Sequence, residues 1–182
     1  TNTSGIYEYY CVVSFSSGGC SDVTSNYITI TIVDDPSITG PLTPSSICDG
    51  GVIANPLQVT VSGGTGNITY DWINLSTGSS VGTSPTYDPG TLSPIGIYQY
   101  QVTVDYNGNG CDPATSNIVS INVVSDPTAD SILVDTIVCQ QSSPYSSAVL
   151  EIDTVWGGIN TNYNYQWHDA SGPITGANSS TY

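Results

Sequence analysis

Residues 96–104 read Gly-Ile-Tyr-Gln-Tyr-Gln-Val-Thr-Val, and every second side chain from Tyr98 to Val104 is aromatic or β-branched. Side chains two apart lie on the same face of a β-strand, so this spacing predicts a strand with one buried face. The sequence Asn107-Gly108-Asn109-Gly110 follows and is typical of a hairpin turn. The chain is therefore predicted to be all-β.

A second version of this stretch occupies residues 5–13, where Tyr9 precedes Tyr100 by 91 positions. Further along the chain the offset becomes 95, because Trp72 returns as Trp167. Recurrence in a fixed order indicates a tandem repeat. The residues that recur at the first offset include Gly5, Tyr7, Tyr9, Val13, Gly19, Cys20, Ser25, Asn26, Asp35, Pro36 and Cys48.

Three ranges follow from the repeat. Residues 1–36 correspond to the C-terminal part of a repeat and are called the first copy. Residues 37–127 form the complete repeat, and residues 128–182, the third copy, correspond to the N-terminal part of another. We expect the chain to be a window of a longer tandem array in which each copy contacts its neighbours in the same chain.

The composition excludes two classes of partner. The chain has no Lys or Arg against 15 Asp and Glu, for a formal net charge of −15. Because no cation is present to neutralise phosphates, neither nucleic acid nor an anionic lipid surface is expected to bind. No run approaches the roughly 18 apolar residues of a membrane-spanning helix, so direct membrane insertion is not expected.

Alternating runs in the complete repeat predict short strands separated by turns. Residues 57–61 and 68–72 alternate on either side of the Gly-rich segment 62–66, and residues 118–124 form the closing strand. This pattern predicts an antiparallel β-sandwich without a helix longer than about two turns. Its core is expected to bury Val59, Trp72 and Tyr98.

Two landmarks resemble those of an immunoglobulin-like domain. Gly96-Ile97-Tyr98 looks like the start of strand F, with Tyr98 in the place of the tyrosine corner, and Trp72 resembles the buried Trp of strand C. The match departs at the disulfide, because Tyr100 stands where the family carries its strand F Cys. The resemblance implies tandem immunoglobulin-like antiparallel β-sandwich repeats.

A narrower resemblance rests on several motifs taken together. They are Cys48-x-x-Gly51, Tyr70-x-Trp72, Tyr87, Gly96-x-Tyr98-x-Tyr100-x-Val102, Gly110-Cys111, Ser116-Asn117 and Asp126-Pro127. Their order and spacing are similar to those of the Ig-like and PKD-like repeats of giant adhesins from gliding Bacteroidota, which the type IX secretion system exports. The resemblance implies an extracellular, cell-surface location. It also implies O-glycosylation within Asp-[Ser/Thr]-aliphatic motifs, at Ser131, Thr136 and Thr154.

Residues suited to catalysis are scarce. The only imidazole is His168, and its counterpart in the complete repeat is Ile73, so no repeated site could use it as a base. No pair of carboxylates lies in a recognisable glycosidase motif. We expect no catalytic residue, no enzymatic activity and no cofactor.

Cysteines recur once per repeat. Cys48 and Cys111 are predicted to form a disulfide within the complete repeat, closing a loop of about 60 residues and stabilising it by roughly 4 kcal/mol. The alternative is a bond between neighbouring copies, Cys20 with Cys48. Cys11 stands where the complete repeat has Val102, which predicts a buried free thiol.

Acidic residues cluster where the copies join. Asp34 with Asp35, and Asp126 near Asp130, either solvate the junctions or supply ligands to Ca²⁺. No segment has the spacing of an EF-hand loop. We favour solvation and expect no metal site.

Trp156 and Tyr163 lie in the expanded segment of the third copy. The segment is rich in Gly and Asn, and we assign it to a loop between two strands. An exposed aromatic ring there would stack on a sugar of a surface polysaccharide, and the alternative is packing of Trp156 against the next domain.

The sequence thus predicts a non-enzymatic segment of a surface adhesin, acting as a stalk and multivalent adhesive fibre in attachment or gliding motility. Two alternatives stay open: a carbohydrate-binding or spacer module of a secreted hydrolase, and a subunit of a structural surface filament.

Overall fold

The computed structural model describes residues 3–39, 45–108, 110–130, 150–152 and 154–182. Every regular element in these ranges is a β-strand, which confirms the predicted all-β class. The same ranges contain no helix with the length and apolar character needed to cross a membrane.

The strands are numbered along the chain. The first copy contains β1 (Gly5–Tyr9), β2 (Val12–Val13), β3 (Val23–Thr24) and β4 (Ile28–Ile32). The complete repeat contains β5 (Ser37–Thr39), β6 (Ser45–Cys48), β7 (Leu57–Gln58), β8 (Thr60–Ser62), β9 (Asn67–Asn74), β10 (Ser79–Gly82), β11 (Thr86–Tyr87), β12 (Gly96–Asn107), β13 (Ala114–Thr115) and β14 (Val119–Val124). The third copy contains β15 (Thr128–Asp130), β16 (Thr154–Trp156), β17 (His168–Asp169) and β18 (Gly172–Pro173).

The largest sheet is built on β12. Its strand order is β10-β9-β12-β14-β6, and β13 also pairs with β12. β12 runs antiparallel to β9, which places Val102 opposite Trp72 and Val104 opposite Tyr70. The face of β12 predicted by the alternation carries the buried side chains of Tyr100, Val102 and Val104.

One strand pair differs from the predicted antiparallel arrangement. β6 runs parallel to β14, with Ile121 opposite Ser45 and Val124 opposite Cys48. Parallel pairing needs a long connection between the two strands, and the whole of β7 to β13 lies between them. The sequence pattern did not predict this pair.

The chain packs as two compact units. The first comprises Thr1–Thr43, Asn55–Asp88 and Gln99–Val119, and the second comprises Pro44–Ala54, Pro89–Tyr98 and Ser120–Tyr182.

The core of the first unit surrounds Trp72. This side chain is fully buried, as are Val102 and Val104 on β12. The Trp72 ring stacks on that of Tyr87 at a centroid distance of 5.9 Å. Val59 is also buried, so the predicted burial of Trp72 and Val59 is confirmed.

The core of the second unit is aliphatic. β14 contributes Ile121 and Val123, and β6 contributes Ile47. Leu92, also buried, is fixed by two backbone hydrogen bonds: the Gly50 N–H donates to its carbonyl at 3.0 Å, and its own N–H donates to the Gly51 carbonyl at 3.1 Å.

The predicted burial of Tyr98 is wrong, because the side chain is only half-buried. Its hydroxyl donates to the Pro94 carbonyl at 2.8 Å, which turns the ring back toward the chain before β12. Tyr7 of the first copy makes the corresponding bond, to the Thr3 carbonyl at 3.0 Å.

Cys11 also differs from the expectation, because its thiol is free but exposed. The strands around it form only the two-stranded sheets β1–β4 and β2–β3. Val102, at the equivalent position, is buried because β12 pairs with β9 and carries Val102 opposite Trp72. Two residues at equivalent positions of the repeat can therefore differ in burial, because burial depends on the strands that surround each of them.

Candidate inter-repeat junctions and binding cleft

The first junction, Asp34-Asp35-Pro36, is bound to the turn that follows β8. The Gly64 N–H donates to the Asp34 carbonyl at 2.7 Å. β5 begins directly after the junction and pairs antiparallel with β8, with Ser37 opposite Ser62. The start of the complete repeat is therefore held by β8, a strand of the same repeat.

Glycine is required twice in this turn. Gly63 and Gly64 have φ of +76° and +69°, in the left-handed region that favours glycine. A Cβ on Gly63 would overlap the Asp35 carbonyl oxygen, and one on Gly64 would overlap the ring of Tyr106. The junction backbone and the Tyr106 ring thus occupy the space that side chains would need.

The second junction, Ser125-Asp126-Pro127, has the same construction. The Gly158 N–H donates to the Ser125 carbonyl at 2.8 Å, and Gly157 and Gly158 have φ of +83° and +77°. A Cβ on Gly157 would overlap the Asp126 carbonyl oxygen. β15 then pairs with β16, with Thr128 opposite Trp156. The two junctions therefore share the same backbone hydrogen bond as well as a similar sequence.

Sequence reasoning missed this role of the glycine pairs. The sequence of residues 62–66 predicts only a turn between two strands. The available signal was a second Gly-Gly pair at 157–158, which lies at the end of the equivalent strand and next to the following junction.

The acidic residues at the junctions have different surroundings. The Asp35 carboxylate accepts the Asp112 N–H at 3.0 Å, so it fastens the junction to the loop after β12. Asp34 and Asp126 are exposed, and the side chain of Asp130 lies outside the described residues. In the described ranges no three His, Cys, Asp or Glu residues are grouped so that they could hold a metal ion.

A cleft of about 440 Å³ lies in the third copy, within the second unit. Its aromatic lining is Tyr163, Tyr165 and Trp167. The Tyr163 hydroxyl donates to the Gly157 carbonyl at 2.8 Å, which links the cleft wall to the junction turn. Val155 and Ile152 contribute aliphatic lining.

The indole in the cleft has the same local geometry as that of Trp72. Trp167 Nε1–H donates to the Ser179 carbonyl at 2.9 Å, and Trp72 Nε1–H donates to the Ser84 carbonyl at 2.9 Å. The Trp167 ring lies 6.1 Å from that of Tyr182, close to the 5.9 Å between Trp72 and Tyr87. The cleft wall therefore corresponds to the core-facing side of β9.

The two residues predicted to bind glycan occupy different places. Tyr163 lines the cleft, whereas Trp156 is not among the lining residues. Trp156 is the last residue of β16 and is 49% exposed, so its assignment to a loop is wrong. The strand continues to Trp156 because its backbone pairs with Thr128.

The predicted disulfide between Cys48 and Cys111 is absent, since both residues are half-buried free thiols. Cys48 ends β6 beside Val124, and Cys111 lies in the connection between β12 and β13. Recurrence shows which residue types repeat, but it does not show which thiols approach each other. Cys20 is also free and exposed, and Cys139 lies outside the described residues.

The remaining predicted sites are at the surface or outside the described ranges. Thr154 is the exposed first residue of β16, and Ser131 and Thr136 lie outside the described residues. His168 is exposed on β17.

The side chain of Tyr87, in the first unit, has a shifted pKa. Burial raises the pKa of Tyr87 above its usual value of 10.0, and the nearby Asp88 carboxylate raises it further. A side-chain hydrogen bond with Tyr100 partly opposes these effects. Tyr87 thus favours its neutral form, as expected of a ring that packs against Trp72.

No protein-family model, curated protein or solved structure matches this chain. Its function is therefore inferred from the repeat, the charge and the junctions.

Proposed function

We propose that the chain is a non-enzymatic, extracellular repeat segment of a surface adhesin that serves as a stalk and multivalent adhesive fibre. The observation that carries the proposal is the repeated junction, in which a Gly N–H holds the carbonyl two residues before Pro: Asp34 in one case and Ser125 in the other. Pro fixes φ and biases the preceding residue toward extended conformations, so the same linker geometry recurs between successive copies.

Tandem immunoglobulin-like sandwiches are the fold that we propose for the copies. Three features support this assignment: the buried Trp72 on β9, the Tyr98 hydroxyl bonded to the Pro94 carbonyl, and the equivalent bond of Tyr7. In immunoglobulin-like domains a buried Trp and a tyrosine corner occupy corresponding places.

The charge of the chain supports an extended arrangement at the cell surface. A net charge of −15 without any Lys or Arg makes successive copies repel one another and keeps them soluble. Repetition then gives reach and many weak contacts, whose combined strength exceeds that of one contact. Export by type IX secretion and a role in gliding rest on the motif resemblance.

The proposal is tested on cells of the source organism. Antibodies raised against this chain should label intact cells, and deletion of its reading frame should reduce surface attachment while growth is unchanged. Complementation with the intact reading frame provides the control. Labelling that appears only after the cells are permeabilised would contradict the proposal.

A further inference from the structure

The end of β12 carries an Asn followed by a Gly, at the surface of the complete repeat. Asn107 is the last residue of β12 and is exposed, as is Gly108. The φ of Gly108 is +94°, in the left-handed region that favours glycine, and a Cβ built on it would meet nothing within 4 Å. The Asn107 side chain and the peptide nitrogen of Gly108 therefore adjoin each other in an open part of the surface.

The N–H of Gly108 is not held by the sheet. The Leu75 N–H donates to the Gln99 carbonyl at 2.9 Å, and this bond sets the alternation along the antiparallel pair β9–β12. In that register the N–H of Asn107 faces β9, and the N–H of Gly108 faces away from it. Among the described residues, none accepts a hydrogen bond from the Gly108 N–H. The nitrogen is therefore accessible to the neighbouring side chain.

We propose that Asn107 is a site of spontaneous deamidation in the folded chain. The Gly108 peptide nitrogen attacks Cγ of Asn107 and forms a new N–C bond. The side-chain amide nitrogen leaves as ammonia, which takes up the proton that the peptide nitrogen loses to solvent. Water then opens the resulting succinimide ring at either carbonyl, which yields aspartate or isoaspartate. The reaction consumes one water molecule and requires no oxidant or cofactor.

The residue that follows each Asn decides its reactivity. Asn67 lies directly opposite Asn107 in the sheet and is also exposed, but it is followed by Ile68. The β-branched side chain of Ile68 crowds its own peptide nitrogen and restricts the local conformation, whereas Gly108 has no Cβ. Two exposed Asn residues in one row of the sheet should therefore deamidate at different rates.

The reaction changes the loop that is bonded to the first junction. Each event adds one carboxylate to a chain whose formal net charge is −15, and isoaspartate also lengthens the backbone where β12 ends. The same loop carries Asp112, whose N–H donates to the Asp35 carboxylate at 3.0 Å. The inference goes beyond the proposed function, because it concerns chemical ageing of the repeat and requires no adhesion to any surface.

Peptide mapping of the incubated full chain by mass spectrometry tests the proposal. Cleavage after Tyr106 and before Asp112 releases residues 107–111, in which Asn should be converted to aspartate and isoaspartate. Conversion should be faster at mildly alkaline than at mildly acidic pH, because base removes the peptide proton. Asn67 is the matched control and should be converted at least about ten times more slowly, since Ile68 hinders the attack. Circular dichroism of the same samples checks that the chain stays folded.

Two variants separate Asn107 from Asn109, which is also followed by a Gly in the sequence. Asn109→Gln should retain conversion within residues 107–111. Asn107→Gln/Asn109→Gln should abolish it, because Gln must close a larger and much slower-forming ring. The proposal is overturned by no conversion at Asn107, by conversion as slow as that at Asn67, or by conversion that appears only after unfolding in urea.

Discussion

Trp72 in the complete repeat and Trp167 in the third copy share a local geometry but differ in burial. Each indole N–H donates to a Ser carbonyl at 2.9 Å, and each ring lies near a Tyr ring. Trp72 is fully buried, whereas Trp167 is half-buried in an open cleft. The comparison teaches that the Trp side chain is positioned by its own strand and by the loop that follows. Its burial depends in addition on a strand from a distant part of the sequence, which for Trp72 is β12.

Alanine at each Trp should give the largest difference between the two copies. Trp72→Ala should lower the free energy of unfolding by about 3–5 kcal/mol, because it leaves a cavity in a closed core. Trp167→Ala should lower it by at most about 2 kcal/mol, since solvent already reaches the ring. Urea unfolding followed by far-UV circular dichroism measures both. Equal losses would mean that the two sites are closed to the same degree in solution.

A smaller difference is expected at the two junction turns. Gly64→Ala places a Cβ in the space of the Tyr106 ring, whereas a Cβ on Gly158 meets nothing closer than Pro127 at 3.7 Å. Both residues have φ in the left-handed region, so each substitution costs about 1–2 kcal/mol in backbone strain. Gly64→Ala should cost about 1–3 kcal/mol more, because the ring must move. The same urea titration compares the variants, and equal losses would rule out the close approach of Tyr106.

The smallest effect concerns alkaline pH in the complete repeat. The folded-state pKa of Tyr87 is raised, first by burial and then by Asp88, so folding favours the neutral phenol. Its contribution to stability is therefore present below the unfolded-state pKa of about 10 and is lost as the pH rises through the folded-state value. Tyr87→Phe should reduce the loss of unfolding free energy between about pH 9 and pH 11, and Asp88→Asn should reduce it less. A loss that is identical in wild type and Tyr87→Phe would contradict the assignment.

The sequence predicted those features of the fold that depend on residues near one another in the chain. Alternation over residues 96–104 predicted β12 and its buried face, and Trp72 was recognised as core. The same reasoning was wrong for Cys11 and Tyr98, because burial depends on strands that pack from other parts of the chain. Alternation of apolar residues predicts which face of a strand is apolar. It does not predict which other strands pack against that face.

Features that depend on contacts between residues far apart in the chain were harder to predict from the sequence. The parallel strand β6 has the sequence Ser-Ser-Ile-Cys, in which only Ile47 is buried, so it carries no clear alternation. The cysteine pairing was inferred from recurrence alone, and the structure leaves both thiols free. At the candidate sites, the glycine pairs were visible as turns, but their contact with the junctions follows from the register of β5 with β8 and of β15 with β16.

The parallel pairing of β6 with β14 determines how the complete repeat responds when it is stretched. β6 lies near the beginning of the repeat and β14 at its end, with four residue pairs in register from Ile121 opposite Ser45 to Val124 opposite Cys48. Because the strands run in the same direction, tension applied at Ser45 and at Val124 slides one strand along the other. The evenly spaced hydrogen bonds of a parallel pair then share this shear load, and they must break together rather than one after another. A short strand without a strong sequence signal thus becomes one of the elements that oppose extension of the repeat.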